Sequence, residues 1–165
     1  MITEPQIEHR QEQLYAAIRT AVPIPFGSLL PPLWKEVNEW LKKKGIVFTG
    51  PALIRYLTTD MSKKLDVDVG YALEQPLTGD GRVIVDSLPE GEYATLLYIG
   101  PYKGKGVYKA NVSLIDWAKE NHVVWNTAVR DHSEWWNGRV EYYLSDPDRE
   151  EDPKKYRAEL AFLVR

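Results

Sequence analysis

The chain has 165 residues, a formal net charge of −3, a pI near 5.7 and no cysteine. That length buries a core without covalent staples, and a cysteine-free chain excludes disulfides and thiolate metal sites. The mild acidity gives no footprint for direct nucleic-acid binding, and no apolar run is long enough to span a bilayer, so neither partner is expected. The absence of an apolar leader reads as a cytoplasmic protein.

In chain order, "YAAIRTAVPI" from Tyr15 is the first predicted strand. Leu30, Leu33, Trp34, Val37, Trp40 and Leu41 then recur at helical spacing, predicting a helix over 30–44. Pro31 and Pro32 suit its first turn and Gly45 the residue past its end. "PALIRYLTT" and "KKLDVDVGYAL" follow as strands. In the second of these, Leu65, Val67, Val69, Tyr71 and Leu73 share one face, and Asp66, Asp68, Gly70 and Ala72 the other. "EQPLTGDGRV" is a linker with a turn signal. A further strand at "RVIVDSLP" leads into the strand "GEYATLLYIGPY". The second helix runs from Val107 to Glu120, with Asn121 as its left-handed cap. The long stretch "VVWNTAVRDHSEWW" is expected to act as a lid. The strands "RVEYYLS" and "RAELAFLVR" close the chain.

The order strand, helix, strand, strand therefore occurs twice, over about 10–75 and 82–165. The copies align as "AAIRTAVPI" with "ATLLYIGPY", "IRYLTTD" with "VEYYLSD", and "DVDVGYAL" with "RAELAFLV". The expected fold is α+β, one domain of two modules about a pseudo-twofold axis. A mainly antiparallel sheet carries two helices, and a ligand cleft lies at the join.

The last strand sets Leu160, Phe162 and Val164 on one face and Glu159 with Ala161 on the other. The third alignment places Asp68 and Glu159 in corresponding positions, each two residues before a small residue, Gly70 or Ala161, that leaves room for something to approach the sheet. A carboxylate facing a cavity there has its pKa raised by desolvation, and a nearby cation holds it ionised. Six Trp and ten Tyr against three Phe supply flat, amphipathic walls for such a site.

These residues carry a resemblance. "ATLLYIGPYKGKGVYKANVSLIDWAKENH" followed by "EYYLSDPDREEDPKKYRAELAFLV" resembles the GyrI-like small-molecule-binding domains, which also form the effector-binding halves of some bacterial multidrug-responsive transcription regulators. "GPALIRYLTTDMSKKLDVDVGYAL" looks like the family's first half. The motifs are Gly100-Pro101-Tyr102, Trp117, Asp146-Pro147 and Glu159. The resemblance implies a central cleft with aromatic walls in which Glu159 meets a cationic aromatic ligand, in a stand-alone module without the regulators' DNA-binding part.

Three readings follow. A binding module stacks a flat small-molecule aromatic ligand against rings drawn from Tyr56, Tyr71, Tyr98, Trp125, Trp136, Tyr142 and Tyr143, with Tyr142 and Tyr143 on opposite faces. The expected ligand-binding set is Asp68, Tyr56, Tyr98, Trp125, Trp136 and Tyr143. A hydrolase, as the resemblance to cyclopropane-opening members implies, uses Glu159 as base and Tyr71 or Tyr143 as donor to the developing oxyanion, so the catalytic pair is Glu159 and Tyr71. A protein partner, such as a DNA gyrase inhibitor, presents the acidic run "DPDREED". None calls for a cofactor or a metal, and His9, His122 and His132 show no ligand spacing.

Overall fold

The computed structural model describes residues 1–23, 26–46, 50–59 and 64–165. Ile24 and Lys63, at the ends of two predicted strands, lie outside the described residues. The first module contributes β2 (Gln13–Val22), α1 (Leu30–Lys43), β3 (Ala52–Tyr56) and β4 (Leu65–Ala72). The second contributes β6 (Gly91–Ile99), α2 (Gly106–Glu120), β9 (Arg139–Tyr143) and β10 (Arg157–Leu163). Each module is preceded by one more strand, β1 (Gln6–Arg10) and β5 (Ile84–Leu88). The long connection is a hairpin of its own, β7 (Thr127–Arg130) with β8 (Ser133–Trp136). Asp131 and His132, both at positive φ, make its tight turn.

Eight strands form one antiparallel sheet in the order β1-β6-β10-β9-β3-β4-β2-β5. The central β9–β3 pair carries the pseudo-twofold, with β10 and β4, then β6 and β2, then β1 and β5, in matched places. β1 lies at one end of the sheet and β2 beside the other end, yet only Gln11 and Glu12 join them. Pro89 and Glu90 likewise join β5 to β6. Such a link reaches at most roughly 11 Å, so the sheet must curl until its ends meet. The result is a half-barrel with a convex and a concave face.

Both helices cover the convex face. α1 lays Leu30, Val37 and Leu41 on it, and α2 lays Ala110, Leu114 and Ala118. The Trp34 indole donates to the carbonyls of Leu53 (3.2 Å) and Gly70 (3.1 Å), pinning α1 to β3 and β4. α1 ends as expected. Gly45 takes φ +79°, and Gly45 N–H and Ile46 N–H donate to Lys42 and Leu41 carbonyls. At the end of α2 the cap falls one residue later than predicted. Asn121 has φ −102°, and His122 takes the left-handed conformation at φ +57°, with Val123 N–H donating back to Ala118. Among the described residues no helix is long and apolar enough to cross a membrane.

Register decides which side chains face inward. Gly70 opposes Ala17 and Leu53, and Ala161 opposes Thr95 and Val140. This bears out the pairing of Asp68 with Glu159 but corrects the alignment of β3 with β9 by one residue. Leu53 corresponds to Val140, Arg55 to Tyr142 and Tyr56 to Tyr143. A slip of one residue exchanges the two faces of a strand, so the correction matters for the site.

Candidate functional site

The concave face is floored by Tyr15, Ala17, Leu53, Ala72, Tyr93, Val140, Tyr142, Ala161 and Leu163, drawn from six neighbouring strands. A cavity of about 480 Å³ opens on it, within the range of small-molecule sites. β9 contributes Val140 and Tyr142, and β10 contributes Glu159 and Ala161. The end of β1 and its link to β2 form another wall through Glu8, Arg10 and Glu12.

Glu159 faces this cavity with 26% of its side chain exposed. Arg10 donates to its Oε1 at 2.6 Å, and among the described residues Oε2 accepts no hydrogen bond. Arg10 also donates to Glu8 at 2.8 Å, and that bond lowers the Glu8 pKa. Tyr142 stands opposite Glu159 on the adjacent strand. Its hydroxyl makes no hydrogen bond among the described residues. Burial raises its pKa, the Arg10 charge opposes this, and the phenol stays protonated as a free donor. Tyr93 on the other side donates to the Pro89 carbonyl at 2.6 Å, and burial pushes its pKa up to about 12. The lining carries three carboxylates, Glu8, Glu12 and Glu159, and among the described residues one guanidinium, Arg10.

Asp68, the counterpart of Glu159, is differently placed. It is fully buried. Arg19 donates to both of its oxygens at 2.8 and 2.9 Å and also reaches Asp86 at 3.0 Å. The Tyr15 hydroxyl donates to Asp68 while accepting from Arg55 at 2.9 Å. Arg55 is held in turn by the carbonyls of Ser87 and Asn137. Asp68 thus faces the concave side as expected but is sealed into the wall and does not line the cavity. Gly70 does not open space for a ligand either: a Cβ there would come within 1.8 Å of the Ala16 carbonyl oxygen, because β2 fills the room.

The other expected residues gather on the convex face, and this is a correction. Tyr56 and Tyr143 donate to the buried carboxylate of Glu141 at 3.0 and 2.8 Å, and Asn111 donates to its other oxygen at 2.8 Å. Trp136 packs with Trp125 and Phe162 at ring separations of 5.5–5.8 Å. Arg139 lies over Trp136, Phe162 and Tyr56 at 4.5, 4.3 and 5.6 Å. The rings surround a cation, but it is the protein's own. Tyr98 stands under the start of α2 and donates to the Pro101 carbonyl at 2.7 Å. Tyr71 packs with the α1 side of the sheet, where burial raises its pKa. None of Tyr56, Tyr71, Tyr98, Trp125, Trp136 and Tyr143 lines the cavity, and no residue of the 123–136 stretch does, with Trp125 and Trp136 packed on the convex side, so that stretch is no lid over the cleft. The rings that line it are Tyr93 and Tyr142.

Sequence reading missed Arg10 and Glu8, because "QIEHR" shows no apolar alternation, and it missed Tyr93 although its strand was predicted. Tyr142 was within reach, since alternation demanded that it or Tyr143 face the cleft. The acidic run is tied into its own turns, with Asp146 accepting from Asp148 N–H and Asp152 from Lys154 N–H. Among the described residues no group of His, Asp or Glu is arranged to hold a metal.

The family profile described as GyrI-like small molecule binding domain matches residues 3–165. No curated protein matches the chain in sequence. Among solved structures, the EcmrR C-terminal domain superposes with a TM-score of 0.74 at 18% identity, covering 98% of this chain and 97% of that one. SAV2435 bound to tetraphenylphosphonium gives 0.63 at 11% identity, covering 99% and 94%. A hydrolase from Listeria innocua gives 0.61 at 13% identity, covering 98% and 92%. At these identities the likeness is one of fold.

Proposed function

The chain belongs to the GyrI-like small-molecule-binding domain family, and from that premise we propose that its concave cavity takes flat amphipathic or cationic aromatic compounds with Glu159 as the anion that receives them. The observation that carries this reading is the Glu159 carboxylate, 26% exposed on a 480 Å³ cavity, with no hydrogen bond to Oε2 among the described residues. The rings of Tyr93 and Tyr142 supply apolar area, and a cation over such a face gains about 0.5–2 kcal/mol. The excess of carboxylates in the lining favours a positive ligand over a negative one.

Glu159→Gln is the test. Hydrogen bonds to a charged group contribute about 1.5–3 kcal/mol, so binding of a cationic aromatic dye is expected to weaken by about 10–100-fold in calorimetry. A neutral analogue of the same shape should bind both proteins alike. Equal affinity of parent and variant for the cation would remove Glu159 from the site.

A second reading is favoured by one feature, the Tyr142 hydroxyl, which makes no hydrogen bond among the described residues and belongs to the residue paired with Glu159 across β9 and β10. A base and a protonated donor on adjacent strands suit water attack on an electrophilic cyclopropane. Glu159 takes the proton from water as its oxygen bonds to the ring carbon. The strained C–C bond breaks, and its electrons pass through the conjugated system to a carbonyl oxygen that Tyr142 stabilises. Tyr142→Phe is expected to slow such turnover by about 100-fold or more while leaving substrate affinity within about threefold. Single-turnover kinetics with a spirocyclopropane dienone separate the two effects. A rate unchanged in Tyr142→Phe would end this reading and leave the binding role standing.

A further inference from the structure

Arg10 is the feature that neither reading uses. It is the last residue of β1, directly before the two-residue link that brings the ends of the sheet together. Its guanidinium lies in the cavity and divides its donors between two carboxylates, Glu159 at 2.6 Å and Glu8 at 2.8 Å.

The opposite module shows what a permanent ion pair looks like in this fold. Arg19 grips both oxygens of Asp68, the Tyr15 hydroxyl adds a third bond, and no water reaches the carboxylate. The position matching Arg19 in the second module is Leu97, which opposes Glu159 on β6. No guanidinium is fixed there from the same strand. Arg10 reaches in from the neighbouring end strand instead, with one bond to Glu159, and both side chains keep 26% of their surface in contact with solvent. A single-bonded, partly exposed pair of this kind contributes little to stability and is readily exchanged.

We propose that Arg10 is the internal competitor of the cleft, a cation that occupies Glu159 until a ligand displaces it. This rests on the reading of the cavity as a cation site. It names the ligand class: cations that carry their own N–H donors, such as amidinium, guanidinium or protonated amine. A donor cation replaces the bond that Glu159 loses when Arg10 swings away. A shielded cation, quaternary ammonium or phosphonium, gives no hydrogen bond in exchange and leaves the carboxylate oxygen bare in a half-desolvated place.

Calorimetry with two probes tests this, the flat bis-amidine 4′,6-diamidino-2-phenylindole and tetraphenylphosphonium. The parent is expected to prefer the amidine by about tenfold or more, the value of one hydrogen bond to a charged group. Arg10→Gln is expected to tighten both probes by about tenfold, because each must displace the same guanidinium. Arg10→Lys keeps a competing cation with donors and is expected to bind both probes as the parent does, and it guards against a fold defect in Arg10→Gln. Affinities unchanged by Arg10→Gln, or a loss of both ligands, overturn the proposal. Glu159→Gln run alongside separates the failures. If it weakens both probes while Arg10→Gln leaves both affinities alone, only the role of Arg10 falls. If it weakens neither, the cation site falls and Arg10 with it.

Discussion

Asp68→Ala is expected to remove about 3–5 kcal/mol of folding stability, the usual result of taking one partner from a buried ion pair. The reason lies in what remains. Arg19 is 45% exposed and turns to water and to Asp86. Arg55 has no such escape. It is 8% exposed, its bonds go to carbonyls and to the Tyr15 hydroxyl, and the anion nearest along that chain is Asp68. The variant leaves a buried cation unbalanced and a buried phenol without its acceptor. Domains of this kind have about 5–15 kcal/mol in total, so the loss reads directly in a urea midpoint. Arg55→Met added to Asp68→Ala is expected to restore part of the loss, because the uncompensated charge goes with it. A double variant no more stable than the single one would place the penalty in packing instead.

Gly70→Ala is the second large effect, expected at about 3 kcal/mol or more. The new Cβ would meet the Ala16 carbonyl oxygen at 1.8 Å and the Ala17 Cα at 2.7 Å. These are backbone atoms of the paired strand, with no side chain to rotate aside. β2 must move, and the Arg19–Asp68 fork and the Trp34 bond to the Gly70 carbonyl move with it. Gly27→Ala is the control: nothing lies within 4 Å of its Cβ position, and the change is expected within about 0.5 kcal/mol. Urea melts of the two alanine variants check the contrast. The counterpart position, Ala161, already carries the methyl group that Gly70 cannot. The first module has closed tightly around its carboxylate, and the second has kept its carboxylate open to the cavity.

The duplicated order and the two strands with clear period-two patterning were legible in the residues. "LDVDVGYA" and "AELAFL" alternate cleanly because one side of each is pressed under a helix. They placed Asp68 and Glu159 correctly on the concave side. β9 was not legible in the same way. In "RVEYY" an arginine and a glutamate point into the convex core among rings, so charge no longer marks the solvent side. The one-residue error in aligning it followed. The abundance of Trp and Tyr suggested a ligand wall, but much of it serves Arg139 and Glu141. Sequence reports that rings are plentiful and not which cation they enclose. β1 escaped because an end strand held mainly by main-chain bonds needs no apolar stripe, and with it went Arg10.

The crossed pairing of β1 and β5 has a consequence of its own. Each is continuous with one module and hydrogen-bonded into the other, so the two copies trade strands within a single polypeptide. Severed in the linker that joins them, neither fragment could finish its own half. Each would present an empty berth shaped for the strand the other carries, and the two pieces would have to find each other to fold.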